Sequence, residues 1–275
     1  MPELSEIKYS RDATVAAVLS YYRFLTTLYL DETRIATPPE AGWPSITGAP
    51  FGKLEELGKS NEVIALLSQL PYLRADGSDN ERAQGAPDCF FADWQLQMQW
   101  LVEGGTDAGE LKIITEGAEF YEDAPPHVVG LTSGADNPIF VLDTELGIVH
   151  WPECPDEIGN NALREPIEDD PYDYAPENEA DWRNDAPAWE VSEFFELLKD
   201  QFLELKFIPI SPYSVISAYV ERGTRSHGMI PMLQNIYREH GWPDLDAFRK
   251  KECLEAVQRA LEERFPDEAD FRRGH

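Results

Sequence analysis

Acidic side chains dominate one stretch of this sequence. Residues 153–205 include 17 acidic and only 3 basic residues. Carboxylates at this density can attract a cationic surface or loosely hold a divalent ion, and a solvated, self-repelling loop is the simpler interpretation. Asp169, Asp170 and Asp173 are followed by no suitably placed glycine, so the calcium-loop pattern is absent. We therefore predict no metal site, and a basic protein partner is the best functional use of these charges.

The candidate binding residues come from this stretch and from two tryptophans. The carboxylates assigned to binding are Glu168, Asp169, Asp170, Asp173 and Glu177. Trp43 and Trp242 occupy identical Gly-Trp-Pro tripeptides in irregular chain. An indole in such a place either fills a gap between elements, which is the commoner role, or anchors a partner. Both tryptophans are kept as candidate binding residues.

Carboxylates and histidines in the middle of the chain could act as general acids and bases. The candidates for a hydrolase or transferase site are Glu116, Glu119, His127 and His150. A triad of His127, Asp143 and a serine such as Ser133 is disfavoured, because no G-x-S-x-G motif surrounds Ser133 and Asp143 suits a turn. We predict no catalytic residue and no cofactor, and the hydrolase or transferase is kept as the alternative function.

Composition excludes several classes of protein. The chain has 275 residues, of which 42% are hydrophobic, so it can form a core. Its 52 acidic and 23 basic residues give a net charge of −29, which disfavours contact with nucleic acid or anionic membranes. No apolar run approaches the roughly 20 residues of a membrane span, and the first residues do not resemble a signal peptide. Three isolated cysteines suit a reducing compartment, so we expect a cytoplasmic protein, with a nuclear location also open.

Helical patterns flank a region of strand-like patterns. Apolar residues recur every three or four positions over about 11–30 and between Ser60 and Pro71, which predicts two helices with Ser60 as a cap. Strands are predicted over residues 94–102, 111–115, 128–132, 139–142 and 148–151. The last two flank five residues ending in glycine and predict a β-hairpin.

The rest of the chain is predicted as an acidic loop followed by helices. Residues 152–188 have no periodicity and are rich in proline, which indicates a long, charge-extended loop. A helix follows Pro187, and further helices are predicted over about 213–222, 229–240 and 244–265. We therefore predict an α+β fold with a central antiparallel sheet packed by helices over 1–205, and a helical C-terminal extension over 206–275.

Three segments carry a resemblance to a known family. They are a helix that ends in Leu70-Pro71, the hairpin over 139–149, and the segment 189–198 with its Ser-Glu-Phe-Phe-Glu-Leu-Leu run. Together these resemble the SUKH superfamily, which includes fungal cell-wall-synthesis regulators and bacterial immunity proteins that neutralise toxins. The resemblance implies an α+β protein-binding module without catalytic residues.

The predicted function is therefore a non-enzymatic interaction or regulatory module that presents an acidic surface to a protein partner. An immunity-type inhibitor of a basic toxin or nuclease would share the same acidic face. The patterns do not indicate the partner or the oligomeric state.

Overall fold

The structure is a computed structural model that describes residues 3–75, 82–118, 122, 124–134, 136–160, 163–220 and 226–269. Over these residues the chain has an α+β fold with antiparallel sheets. The helices are α1 (Arg11–Leu28), α2 (Pro44–Thr47), α3 (Phe51–Leu57), α4 (Asn61–Gln69), α5 (Trp94–Glu103), α6 (Ala108–Glu116), α7 (Asp156–Gly159), α8 (Pro171–Tyr174), α9 (Glu177–Asn184), α10 (Val191–Leu203), α11 (Met229–Glu239), α12 (Lys250–Arg264) and α13 (Pro266–Ala269).

The strands form three small sheets. Their bounds are β1 (Ile35–Ala36), β2 (Tyr72–Leu73), β3 (Val128–Gly130), β4 (Val141–Asp143), β5 (Ile148–His150), β6 (Ala188–Glu190), β7 (Phe207–Pro209) and β8 (Val215–Ser217). The largest sheet has the order β3-β4-β5-β6, and all its pairs are antiparallel. The predicted central antiparallel sheet is thus confirmed, as is the hairpin formed by β4 and β5.

The two faces of the four-stranded sheet contact different parts of the chain. One row of paired residues joins the main core, and it consists of Val129, Leu142, Val149 and Trp189. Because side chains alternate along a strand, the neighbouring positions point to the opposite, outer face. That face carries apolar residues together with Asp143 and His150, both buried. Another segment of the chain must therefore cover the outer face of the sheet.

Helix α10 packs over the inner face of the sheet, and α1 packs against α10. Ser10 caps α1 by accepting a hydrogen bond from the Ala13 N–H at 3.3 Å. Tyr21 of α1 and Phe195 of α10 have ring centroids 5.5 Å apart, inside a continuous aromatic core. Strand β6 leads directly into α10, so this helix is fixed to the sheet at its first residue.

Two segments predicted as strands are helices. Asp93 caps α5 by accepting a hydrogen bond from the Leu96 N–H at 3.1 Å, and Asp107 caps α6 in the same way. The alternation of apolar residues and glutamines over 94–102 would place Gln97 on the polar face of a strand. In the helix Gln97 is buried instead, and its side-chain amide donates to Ser133 Oγ. The strand predictions over 94–102 and 111–115 are therefore wrong.

The segment 152–188 is not one long loop. Within its described residues the chain forms α7, α8 and α9. Pro155 and Pro176 precede α7 and α9, and Pro171 is the first residue of α8. Proline breaks a helix interior but is favoured in the first turn, where no N–H is needed. Three of the prolines that indicated a loop therefore stand at the start of helices.

The C-terminal residues differ from prediction at one element and share the main core. The predicted helix over 213–222 is wrong for its described residues, because β-branched Val215 and Ile216 lie in β8, paired with β7. Helices α11 and α12 confirm the later helix predictions. The Tyr237 hydroxyl donates to the Pro209 carbonyl oxygen at 2.7 Å. The division into a 1–205 domain and a 206–275 extension stays a prediction.

Gly130 of β3 provides a test of how closely α6 packs on the sheet. A Cβ at this position would lie 1.9 Å from the backbone oxygen of Thr115. Because that backbone belongs to a packed helix and cannot easily move away, Gly130→Ala is expected to lower the free energy of unfolding by about 1–3 kcal/mol. Gly52→Ala is the matched control, since no atom lies within 4 Å of its added Cβ in α3. The control is expected to be neutral or stabilising by up to about 1 kcal/mol in urea denaturation, and equal effects of the two substitutions would contradict this packing.

Candidate binding surface

The acidic segment covers the outer face of the four-stranded sheet. We call residues 163–187, which include α8 and α9, the acidic cover. Trp182 of α9 packs against a small cluster formed by Ala124, Val128 and Val141 on that face. The Ile167 N–H donates to the Ala188 carbonyl oxygen at 2.8 Å, so the cover is also tied to the edge strand β6. The cover is therefore a folded layer on the sheet.

Arg183 is the charged anchor of the cover. Arg183 lies in the last turn of α9, and the residue is only 3% exposed. Nη2 donates to Asp143 Oδ2 of β4 at 2.8 Å and to Glu179 Oε2 at 2.9 Å. Its guanidinium carbon lies 4.6 Å from the centre of the Trp182 ring. One cation thus pairs with two carboxylates, Glu179 in the cover and Asp143 in the sheet.

Asp143 links this anchor to the β-hairpin. Its Oδ1 accepts hydrogen bonds from the backbone N–H groups of Glu145 and Leu146, at 2.8 and 2.9 Å, and so shapes the turn. Burial would raise the pKa of Asp143, but contact with His127, the charge of Arg183 and the turn amides outweigh it and lower that pKa to about 2. The carboxylate therefore stays ionised, and its role as a turn former is as predicted.

His150 completes the buried network as a neutral side chain. Its Nδ1 lies 3.2 Å from the Ala186 carbonyl oxygen, and its Nε2 lies 3.2 Å from Nη1 of Arg183. Arginine can only donate, so Nε2 must accept and Nδ1 must carry the proton. Burial and the charge of Arg183 lower the pKa of His150 to about 4. Protonation would place two N–H groups against each other and break the contact.

His127 lies on the more open side of Asp143. Its Nε2 is 3.6 Å from Asp143 Oδ2 and its Nδ1 is 3.5 Å from Glu145 Oε1. Burial would lower the pKa of His127, but these two carboxylates raise it overall. A cavity of about 190 Å³ lies here between the hairpin turn and α9.

The five predicted binding carboxylates are all exposed residues of the acidic cover, and Glu168, Asp169 and Asp170 line a cavity of about 330 Å³ that also reaches His150 and Arg183. Asp169 accepts a hydrogen bond from the Leu4 N–H at 2.8 Å, and Asp170 caps α8 by accepting from the Tyr172 N–H at 3.0 Å. Glu168, Asp173 and Glu177 point to solvent at exposed positions. Within the described part of the chain none of the five forms an ion pair. The structure therefore brings them together on one folded layer.

The two predicted tryptophans are not on this surface. Trp43 is 6% exposed and donates through Nε1 to the Leu70 carbonyl oxygen at 2.8 Å. Trp242 is 3% exposed and donates to the Phe202 carbonyl oxygen at 3.0 Å. Both indoles fill gaps in the core with their polar atoms satisfied. In this fold neither can contact a partner, so the packing role replaces the binding role considered for them.

Of the residues considered for acid–base catalysis, His127 and His150 contact the same Asp143–Arg183 pair, whereas Glu116 is paired elsewhere. Glu116 is buried and contacts Lys59 at 2.5 Å, an ionic contact without hydrogen-bond alignment. Burial raises the pKa of Glu116 and lowers that of Lys59. Glu119 lies outside the described residues. The Ser133 hydroxyl accepts a hydrogen bond from the side-chain amide of Gln97 rather than from His127. The hydrolase or transferase alternative stays a prediction.

A second concave surface was not identified from the sequence. A groove of about 530 Å³ lies at the open end of the β4–β5 hairpin, away from its turn. Its lining includes Asp88, Asp136 and Glu153, which are exposed acidic residues from three separate parts of the chain.

The sequence analysis also did not identify Arg183 as a functional residue. It could have been noticed as one of only three basic residues among 17 acidic ones.

Comparison with known proteins gave no relative. No protein-family model, no curated protein and no solved structure matches the chain. Across the described ranges, no helix is both long and apolar enough to cross a membrane. Over the same residues, no group of three or more histidines, cysteines and acidic residues is arranged to hold a metal ion.

The buried state of His150 predicts a pH dependence of stability. Its pKa is about 4 in the fold against 6.5 for the free side chain, so the unfolded chain binds more protons between these values. The contribution is present above pH 6.5 and is lost as the pH falls to 4, by about 3 kcal/mol. His150→Gln, which keeps an acceptor for Arg183 and cannot titrate, is expected to flatten this part of the curve.

The measurement is urea denaturation at several values between pH 4 and 7. His227→Gln, at an exposed position, is the matched control and is expected to leave the slope unchanged. An unchanged slope in His150→Gln would show that His150 is not held neutral by this network.

Proposed function

We propose that this chain is a non-enzymatic protein-binding module that uses the acidic cover to bind a basic partner. The observation that carries the proposal is the division of charges in the cover. Arg183 pairs with Glu179 of the cover and with Asp143 of β4, whereas five other carboxylates of the cover remain exposed and form no ion pair within the described residues. Such a surface attracts cations over a distance of about one Debye length.

Fixing the cover on the sheet favours tight binding. A mobile acidic loop would lose conformational freedom when it met a partner, which costs affinity. Here α8 and α9 are already ordered on the sheet by Arg183 and Trp182. The carboxylates are thus presented at set positions, which favours a particular arrangement of lysines and arginines on the partner.

The resemblance to the SUKH superfamily supports the same class of function. In that superfamily a sheet with packed helices serves to bind proteins, and an immunity-type inhibitor of a basic toxin would use an acidic face of this kind. We place the module in the cytoplasm or the nucleus, where three free cysteines remain reduced.

The test neutralises exposed carboxylates and leaves the cover in place. Deleting the cover would expose Val128, Val141 and buried Asp143, and the protein would unfold for reasons unrelated to binding. Glu168→Gln, Asp173→Asn and Glu177→Gln are combined in one variant, because these side chains make no described contact in the fold. Glu252→Gln, Glu262→Gln and Glu263→Gln on exposed positions of α12 remove the same three charges and form the matched control.

Both variants and the parent protein are used in quantitative affinity purification from the source cells. A basic partner is expected to elute from the parent with rising salt, to be lost from the cover variant, and to be retained by the α12 control. If the cover variant retains the same proteins, or if both variants lose them equally, the acidic cover is not the binding surface.

A further inference from the structure

The groove at the open end of the β4–β5 hairpin has an apolar floor. Phe140, Trp151, Ile158 and Phe207 line it, and all four are buried. The Phe140 and Trp151 rings meet edge to face with centroids 4.8 Å apart, which makes the floor rigid. A volume of about 530 Å³ accommodates at least one large side chain of a ligand.

Two matching turns bring acidic residues to the rim of this groove. In the turns Ala86-Pro-Asp-Cys89 and Trp151-Pro-Glu-Cys154, the last N–H donates to the first carbonyl oxygen, at 3.0 and 3.2 Å. Proline occupies the second position of each turn, and Asp88 and Glu153 occupy the third with φ of 52° and 56°. Turns of this type normally place glycine or asparagine there; aspartate tolerates positive φ better than most residues, whereas glutamate is strained in it.

No contact within the described fold explains why acidic residues occupy these two positive-φ positions. Both carboxylates are exposed, and their only described side-chain contact is a 3.5 Å hydrogen bond from Gln84 to Asp88. A glycine or asparagine would make the same turns with less strain. Unfavourable conformations of this kind concentrate at functional sites, so the turns indicate that the two negative charges serve the groove.

Every charged side chain among the described residues that line the groove is acidic. Asp136 adds a third exposed carboxylate to those of Asp88 and Glu153, and no lysine or arginine is among the described lining residues. An apolar floor beneath three carboxylates complements a ligand that has an apolar centre and cationic neighbours.

We propose that the groove docks an extended segment of a partner protein in which a large apolar side chain is flanked by lysines or arginines. The apolar side chain contacts the aromatic floor, and the flanking cations pair with the carboxylates on the rim. This surface is separate from the acidic cover, since none of residues 163–187 lines the groove. The inference therefore goes beyond the proposed function and can be tested apart from it.

The test uses synthetic peptides of defined sequence. Blocked nonapeptides carry phenylalanine or serine at the centre, two lysines on each side and glycine elsewhere, and their affinity is measured by isothermal titration calorimetry at low salt. Burying the phenylalanine is expected to strengthen binding by about tenfold or more relative to serine. Equal affinities would mean that only charge attracts the peptides, which would overturn the proposal.

A variant at the two turns tests the location of binding. Asp88→Asn and Glu153→Asn together remove both charges, and asparagine adopts positive φ more readily than either acid. The double variant is expected to keep or raise the melting temperature and to weaken binding of the phenylalanine peptide by about tenfold. Glu262→Gln with Glu263→Gln on α12 is the matched control and is expected to change neither property.

Three further outcomes would overturn the proposal. The first is a folded Asp88→Asn, Glu153→Asn variant that binds the peptide as tightly as the parent. The second is equal affinity for free phenethylamine, which would make the groove a small-molecule site. The third is an equal loss of peptide affinity in the acidic-cover variant, which would assign the peptide to the cover. Failure here leaves the cover proposal standing, because its test depends on different residues.

Discussion

A single buried ion pair joins the acidic cover to the sheet. Arg183 comes from the cover and Asp143 comes from β4, and both are almost completely shielded from water. Removing one member of such a pair leaves an uncompensated buried charge, which typically costs about 3–5 kcal/mol. The covered outer face of the sheet and the fixed positions of the exposed carboxylates depend on this contact, and the other oxygen of Asp143 shapes the hairpin turn.

The pair also explains how a strongly acidic segment can fold at all. Like charges would extend the chain, but Arg183 pairs with Glu179 on the inner side of the cover and with Asp143 of the sheet below it. Trp182 adds apolar contact with the sheet. The remaining carboxylates face water, where repulsion between them is screened. The same arrangement that stabilises the cover leaves its outer surface negative and open to a cationic partner.

Local patterns in the sequence predicted the elements with strong periodicity, and they could not predict contacts between distant residues. The apolar stripes of α1, α4 and α10 and the hairpin turn were sufficient. The apolar positions in Trp94–Glu103 are compatible with both the strand period and the helix period. Gln97 is buried in the helix by its contact with Ser133, a distant residue that the local pattern does not include. The exposed carboxylates of the cover were found from charge density alone. The Arg183 network joins residues 40 positions apart, and the positive φ of Asp88 and Glu153 is invisible in composition.

A double-mutant cycle at Arg183 and Asp143 tests the central claim most directly. The free energy of unfolding is measured by urea denaturation at pH 7 for Arg183→Met, Asp143→Asn and the double variant. Asparagine keeps an acceptor for the turn amides, so the cycle isolates the ion pair. The structure predicts that each single change is strongly destabilising and that the double variant loses less than the sum, with a coupling energy of about 2 kcal/mol or more. Additive losses would show that the pair does not hold the cover on the sheet.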